Sequence, residues 1–185
     1  MSQITKRALA ASLKKMMEKK PLSKITVTDL AQECGINRHT FYYHFRDIYD
    51  LVQWIFVSET ESVLEKTRAE KSWEQGMKFL FDYALDNKKF IMGTFRSTSK
   101  EHLTKFMIRQ IFILIRNVVE MESQDIEISE EKKEFVAMFY THGLGGIVMD
   151  WIEKDMRQEP DELIDMICAL IQGEGKAMLR RFADN

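Results

Sequence analysis

From Thr26 to Phe45 the chain reads TVTDLAQECGINRHTFYYHF, with a single glycine between two short stretches of helical pattern. Thr26 is a good helix N-cap, and Asp29 three positions on can reach back in a capping-box arrangement. Val27, Leu30 and Ala31 supply a buried side. Gly35 stands where a helix needs a left-handed terminating residue, a conformation glycine adopts without steric cost. Ile36 then plugs the turn and Asn37 caps the next helix. In that helix Phe41 and Phe45, four apart, face inward together. Arg38, His39, Thr40, Tyr42, Tyr43 and His44 are left to point outward. So many aromatic and hydroxyl groups are unusual on a solvated face, which implies a partner for it.

The remaining chain extends the same helical pattern in both directions. Ile4, Leu9, Leu13, Met16 and Met17 give a first helix over residues 4–19 one apolar face, and Pro21 ends it. Beyond Asp47, which caps the following helix, helices are expected over 48–69, 73–87, 88–95, 99–122, 129–156 and 160–182. Only two prolines and eight glycines occur in 185 residues. Gly143, Gly145 and Gly146 fall inside the helix over 129–156, where each costs about 1 kcal/mol against alanine. They mark either a close approach by a second helix or a bend. The fold class is therefore all-α with about nine helices. A three-helix head over 1–48 precedes a helical bundle body over 49–185.

Charge separates the two parts. Residues 1–50 hold nine Lys and Arg against five Asp and Glu, a net of +4, which leaves −6 for residues 51–185 and −2 overall. A basic head on an acidic body suits a polyanion that binds the head alone. The longest apolar runs, such as 111–115 and 143–149, are far shorter than the roughly 20 residues of a membrane span. The N-terminal residues form no signal-peptide core, and Cys34 and Cys168 stand apart without a CxxC pattern. A cytoplasmic protein without membrane contact is the expectation, with Cys34 read as a small buried hydrophobe. His39, His44, His102 and His142 form no close ligand set, and no phosphate loop or nucleophile elbow is present. Neither an enzyme nor a cofactor is expected.

Two short helices joined by a glycine turn and braced by a preceding helix form a helix-turn-helix. Thr40, Tyr42 and His44 can donate to phosphates, Tyr43 can donate or stack, and Arg38 can contact a phosphate or a guanine edge. Residues 26–51 resemble the DNA-binding head of the TetR family of regulators. Thr26, Ala31, Gly35, Thr40, Phe41, Tyr42, His44, Phe45 and Leu51 match its pattern. The resemblance implies DNA contacts from Thr26, Asn37, Arg38, His39, Thr40, Tyr42, Tyr43 and His44. Three positions depart from the pattern. His39 stands where a small residue is common, Tyr43 where a basic or polar one is frequent, and Ile48 where a lysine can reach phosphate.

The body, with Gly143–Gly146, Trp151 and then Pro160, is similar to a branch of that family that includes regulators like the dihydroxyacetone kinase operon activator. This implies a homodimer joined through the last two helices, with Gly143, Gly146, Ile147, Trp151, Leu163, Met166, Ile167 and Leu170 as candidate interface residues. It also implies control by a small apolar or aromatic ligand, or by a partner protein. Phe79, Tyr83, Phe95, Met107, Phe112, Phe139 and His142 are candidate cavity residues, with ordinary core packing the competing role. The expected function is sequence-specific regulation of transcription, as a repressor on a palindromic operator in double-stranded DNA. The alternative is a helical co-regulator whose head has lost affinity for DNA.

Overall fold

Ten α-helices make up the regular structure of the protein in a computed structural model that describes residues 2–69, 73–97, 99–171 and 174–183, together with one 3-10 turn at Leu22–Lys24. They are α1 (Ser2–Met17), α2 (Val27–Glu33), α3 (Arg38–His44), α4 (Ile48–Ala69), α5 (Trp73–Asp86), α6 (Lys88–Phe95), α7 (Lys100–Glu122), α8 (Glu130–Glu153), α9 (Pro160–Ile171) and α10 (Glu174–Ala183). The stretch expected as one helix over 160–182 is helical over Pro160–Ile171 and Glu174–Ala183, and residues 172–173 between them lie outside the described residues.

Helix α8 stops at Glu153, earlier than its sequence suggests. Asp155 and Met156 take left-handed backbone at φ 62° and 52°. The Met156 N–H donates to the Trp151 carbonyl at 2.9 Å and the Asp155 N–H to the Ile152 carbonyl at 3.0 Å, a Schellman closure built without glycine. Each left-handed non-glycine residue costs roughly 1–2 kcal/mol. Burial of Met156 and Trp151 offsets that cost.

The chain clusters into two compact units, Met1–Glu61 with Asn87–Thr104, and Ser62–Asp86 with Lys105–Asn185. In the first, Leu9 and Leu13 of α1 are fully buried against a core that includes Leu30, Phe41, Leu51, Ile55 and Ile91. Ile4 does not join this face and is 73% exposed. Five residues before Leu9, it lies roughly 140° around the helix from it.

Helix α6 belongs to this first unit despite its late place in the chain. Its own sequence favours it little. Asn87 at its N-cap makes no capping bond, and Lys88 and Lys89 oppose the helix dipole in the first turn. Tertiary packing holds it instead. Phe90, Ile91 and Met92 are buried, the Phe90 ring sits 5.1 Å from that of Phe56, and a methyl at Gly93 would collide with the Met17 side chain.

The second unit has its core among α5, α7, α8 and α9, with Met77, Phe81, Ile111, Val148 and Ile164 buried. Trp151 meets Phe81 edge-on at 4.9 Å and donates its indole N–H to the Gln158 carbonyl at 2.7 Å. Lys78 of α5 pairs with Asp161 of α9 at 2.6 Å. Gly145 accommodates the Ile108 side chain of α7, the one close approach among the three α8 glycines. Helix α10 closes back on α8, with Leu179 buried, Phe182 stacked on Phe135 at 5.8 Å and Lys132 Nζ donating to the Ala183 carbonyl at 2.9 Å.

By length and composition α8 is apolar enough to cross a membrane, and 44% of its apolar window is buried inside the protein. It qualifies because it carries apolar residues on two opposite sides. Val136, Ala137, Thr141, Leu144, Val148 and Ile152 pack inward. Phe135, Met138 and Phe139 remain exposed on the other side.

Candidate nucleic-acid interface

The interface begins with how α2 is held at both ends. The Asp29 N–H donates to Thr26 Oγ1 at 3.1 Å and the Thr26 N–H donates to Asp29 Oδ2 at 3.0 Å, a complete capping box. The Asp29 carboxylate also accepts from Lys20 Nζ at 2.8 Å. That hydrogen bond, followed by the one from the Thr26 backbone, holds the Asp29 carboxyl below the ordinary range for aspartate. Its folded value is lowered, so its stabilisation is present above the unfolded value of about 3.9 and is lost as pH falls through the folded one. The excess stability of the wild-type head over Asp29→Asn should therefore shrink as the pH is taken from 6 to 2. Amide exchange in α2 measures it, and a difference that persists at the acid end would contradict it.

At the other end of α2, Gly35 has φ +63°, the left-handed conformation its sequence position called for. The Ile36 N–H reaches the Ala31 carbonyl at 2.9 Å and the Gly35 N–H reaches that of Gln32 at 3.1 Å. This closure sets the turn, and Asn37 Oδ1 then accepts the His39 N–H at 3.0 Å to start α3.

Phe41 is fully buried and Phe45 nearly so, with rings 5.8 Å apart, and Phe45 meets Trp54 of α4 at 5.9 Å. Lys6 Nζ of α1 lies 5.5 Å from the Phe45 ring and 5.8 Å from that of Trp54. These contacts brace one side of α3 and free the other. Arg38 and Tyr42, and beside them His39 and Tyr43, form two i,i+4 ridges on the open side. Tyr43 is 82% exposed and Tyr42 50%, although the Tyr42 ring rests edge-on against Phe41 at 5.6 Å. Thr40 and His44 flank the ridges and are half-buried, while Thr26 and Asn37 are exposed at the two caps. Ile48, by contrast, is buried and offers nothing to a ligand.

Charge around α3 is sorted by pairing. Lys14, Lys15 and Lys20 are matched to Glu59, Glu33 and Asp29. Among the described residues no ion pair or side-chain hydrogen bond engages Arg38 or Lys24. A guanidinium, three hydroxyls and two imidazoles on one braced surface suit a phosphate backbone and the base edges of a groove.

The other predicted residues fall into separate places. Met107 is buried and Phe79, Tyr83 and Phe112 half-buried in the second unit, whereas Phe95 lies in the first with Lys100 Nζ 4.1 Å from its ring. Phe139 and His142 do not point into an internal cavity. Both are exposed and line an apolar groove of about 520 Å³ between α8 and α9. Gly143, Ile147, Ile167 and Leu170 line the same groove, and Gly143 and Gly146 have open space where a side chain would stand. Met166 and Leu170 are 50% and 78% exposed. Trp151 and Leu163 are instead buried in the core of their own unit and present nothing to a second chain. Tyr140 and Leu144 also line the groove, as do Phe135 and Met138, two residues the sequence does not single out. With Phe139, His142 and Gly146 they recur three or four apart, a second apolar stripe on α8.

Comparison with known proteins identifies the family and the fold. Residues 4–55 match the family described as bacterial regulatory proteins, tetR family, and residues 71–173 match the transcriptional regulator C-terminal region. The HTH-type dhaKLM operon transcriptional activator DhaS of Lactococcus lactis subsp. lactis (strain IL1403) is 23% identical over 92% of this chain and 92% of its own. A solved structure of the dihydroxyacetone kinase operon activator DhaS superposes with a TM-score of 0.72, at 22% identity, over 97% of this chain and 98% of that one. The fatty acid degradation regulator FadR from Bacillus halodurans gives 0.60 at 15% identity over 91% and 95%. At these identities the solved structures establish a shared fold.

Proposed function

Because this chain belongs to the TetR family of bacterial regulatory proteins and is a DNA-binding regulator of transcription, we propose that it is a cytoplasmic repressor that binds a palindromic operator as a homodimer. The carrying observation is the exposed strip of Arg38, His39, Tyr42 and Tyr43 on a helix fixed from behind by Phe41 and Phe45. Thr40, Tyr42, His44, Thr26 and Asn37 set the position on the backbone. Arg38, His39 and Tyr43 read bases. The α8–α9 groove takes the same groove of a second copy, where Gly143 and Gly146 let the helices approach. Two recognition helices then enter successive major grooves roughly 34–36 Å apart.

Control enters through the second unit, by a small apolar ligand among residues such as Phe79, Tyr83, Met107 and Phe112, or by a partner protein. A second reading, activation, is favoured by the activator role in the name of the Lactococcus relative.

Gel-shift titration of the purified protein with the DNA upstream of its own and neighbouring genes tests the operator reading. Binding should weaken steeply with added salt, with a log–log slope on the order of −0.9 per phosphate contacted. No retarded complex at low salt with any of these fragments would defeat it. A reporter behind the bound fragment separates repression from activation by the sign of its response.

A further inference from the structure

The chain passes between its two compact units three times, at 61–62 inside α4, at 86–87 ahead of α6 and at 104–105 inside α7. One side chain of the DNA-binding head grips the first unit beside two of these crossings. Lys14 Nζ, on α1, donates to Glu59 Oε1 at 2.6 Å and Oε2 at 2.8 Å, and to Asn87 Oδ1 at 2.7 Å. Its ammonium also lies 5.2 Å from the Phe90 ring of α6. Glu59 is two residues from the crossing in α4, and Asn87 is the first residue after the crossing that leads to α6.

The cost of this arrangement to α6 is visible. Asparagine is among the best N-cap residues, yet Asn87 makes no capping bond and accepts from Lys14 instead. The helix it begins has two lysines in its first turn. Such a helix depends on what holds it from outside. Lys14 is about a quarter exposed, and charge-assisted bonds from a partly buried ammonium are strong and directional.

We propose that Lys14 is a positioning residue for DNA binding, a clasp through which the state of α1 and the recognition helix is coupled to α4 and α6, and so to the chain segments that lead into the second unit. The inference rests on α3 as the DNA-binding element. DNA held by α3 fixes α1 through their shared core, Lys14 carries that order to Glu59 and Asn87, and α6 tightens. By reciprocity of coupling, a change imposed on α6 from the body returns to the head by the same contact.

Hydrogen exchange on the full chain, free and bound to the operator fragment, provides the test. In the wild type, operator should slow amide exchange in α3 and also, by about tenfold, in residues 90–92 of α6. In Lys14→Met combined with Glu59→Gln, which leaves no stranded carboxylate, α3 should still be protected while residues 90–92 change less than about twofold. Asn87→Ala, which removes only one arm of the clasp, should give an intermediate response and serves if the double variant does not fold. Equal protection of α6 in wild type and variants would overturn the clasp. Protection of α3 without any response in wild-type α6 would overturn it as well. Absence of protection in α3 itself would overturn the DNA reading on which it stands.

Discussion

Replacing Tyr42 with alanine should lower operator affinity by about ten- to a hundredfold, the 1–3 kcal/mol of a well-made protein–DNA contact. The side chain is half exposed, and its inner edge rests on Phe41, so the ring is aimed before DNA arrives. Alanine removes both the hydroxyl donor and the edge-on contact with Phe41. Tyr42→Phe keeps that contact, so comparing Tyr42→Phe with wild type isolates the hydroxyl. If that hydroxyl meets a phosphate, the log–log salt slope of Tyr42→Phe should be unchanged, since a neutral donor releases no counterion. Arg38→Ala should instead flatten the slope by about one, or relax base preference at one position if it reads a guanine. Fluorescence anisotropy at several salt concentrations distinguishes these outcomes. Wild-type affinity in Tyr42→Ala would remove this residue from the interface.

If the α8–α9 groove joins two copies as proposed, Phe139→Glu should leave the protein monomeric and abolish operator binding, with no loss of thermal stability in the protomer. Phe139 is 69% exposed in the free chain, so glutamate there disturbs little of its own unit. In a two-fold interface the substitution acts twice, burying a carboxylate from each copy among apolar side chains. An unpaired buried charge costs on the order of several kcal/mol, so two of them in one interface strongly oppose association. Sedimentation equilibrium reads the association state directly. A Phe139→Glu protein that remains dimeric would show that the α8–α9 groove is not the contact. Trp151→Ala, by comparison, should lower stability by about 3–5 kcal/mol without acting on dimerisation first, because Trp151 lies in the core against Phe81.

The parts of the fold that local sequence dictates were legible. Thr26, Asp29, Gly35 and Asn37 act on neighbours within five residues, and each does what its chemistry predicts. The end of α8 was not legible. Its left-handed turn falls on Asp155 and Met156, which carry no glycine signal and are stabilised by burial rather than by propensity. The two sides of α8 were equally hidden. With apolar residues on opposite faces their directions cancel, and periodicity alone cannot say which of Phe139 and Thr141 turns inward. The place of α6 depends on packing far off in sequence, such as Phe90 against Phe56 and Gly93 against Met17, and its N-cap Asn87 accepts from Lys14, 73 residues away. No local pattern announces such a contact.

The residence of α6 in the first unit bears on how such regulators can be recombined. A seam at residue 48 looks natural in the sequence, since the helix-turn-helix ends there. Yet Phe56, Phe90 and Ile91 are buried in the same unit as α1 and α3. A head grafted at that seam onto a foreign sensor would inherit half of someone else's interior. Successful chimeras should exchange two stretches at once, 1–61 together with 87–104, so that the new owner receives a complete core. The same linkage would make heads and sensors drift together in descent, each constrained by a partner with which it shares no sequence neighbourhood.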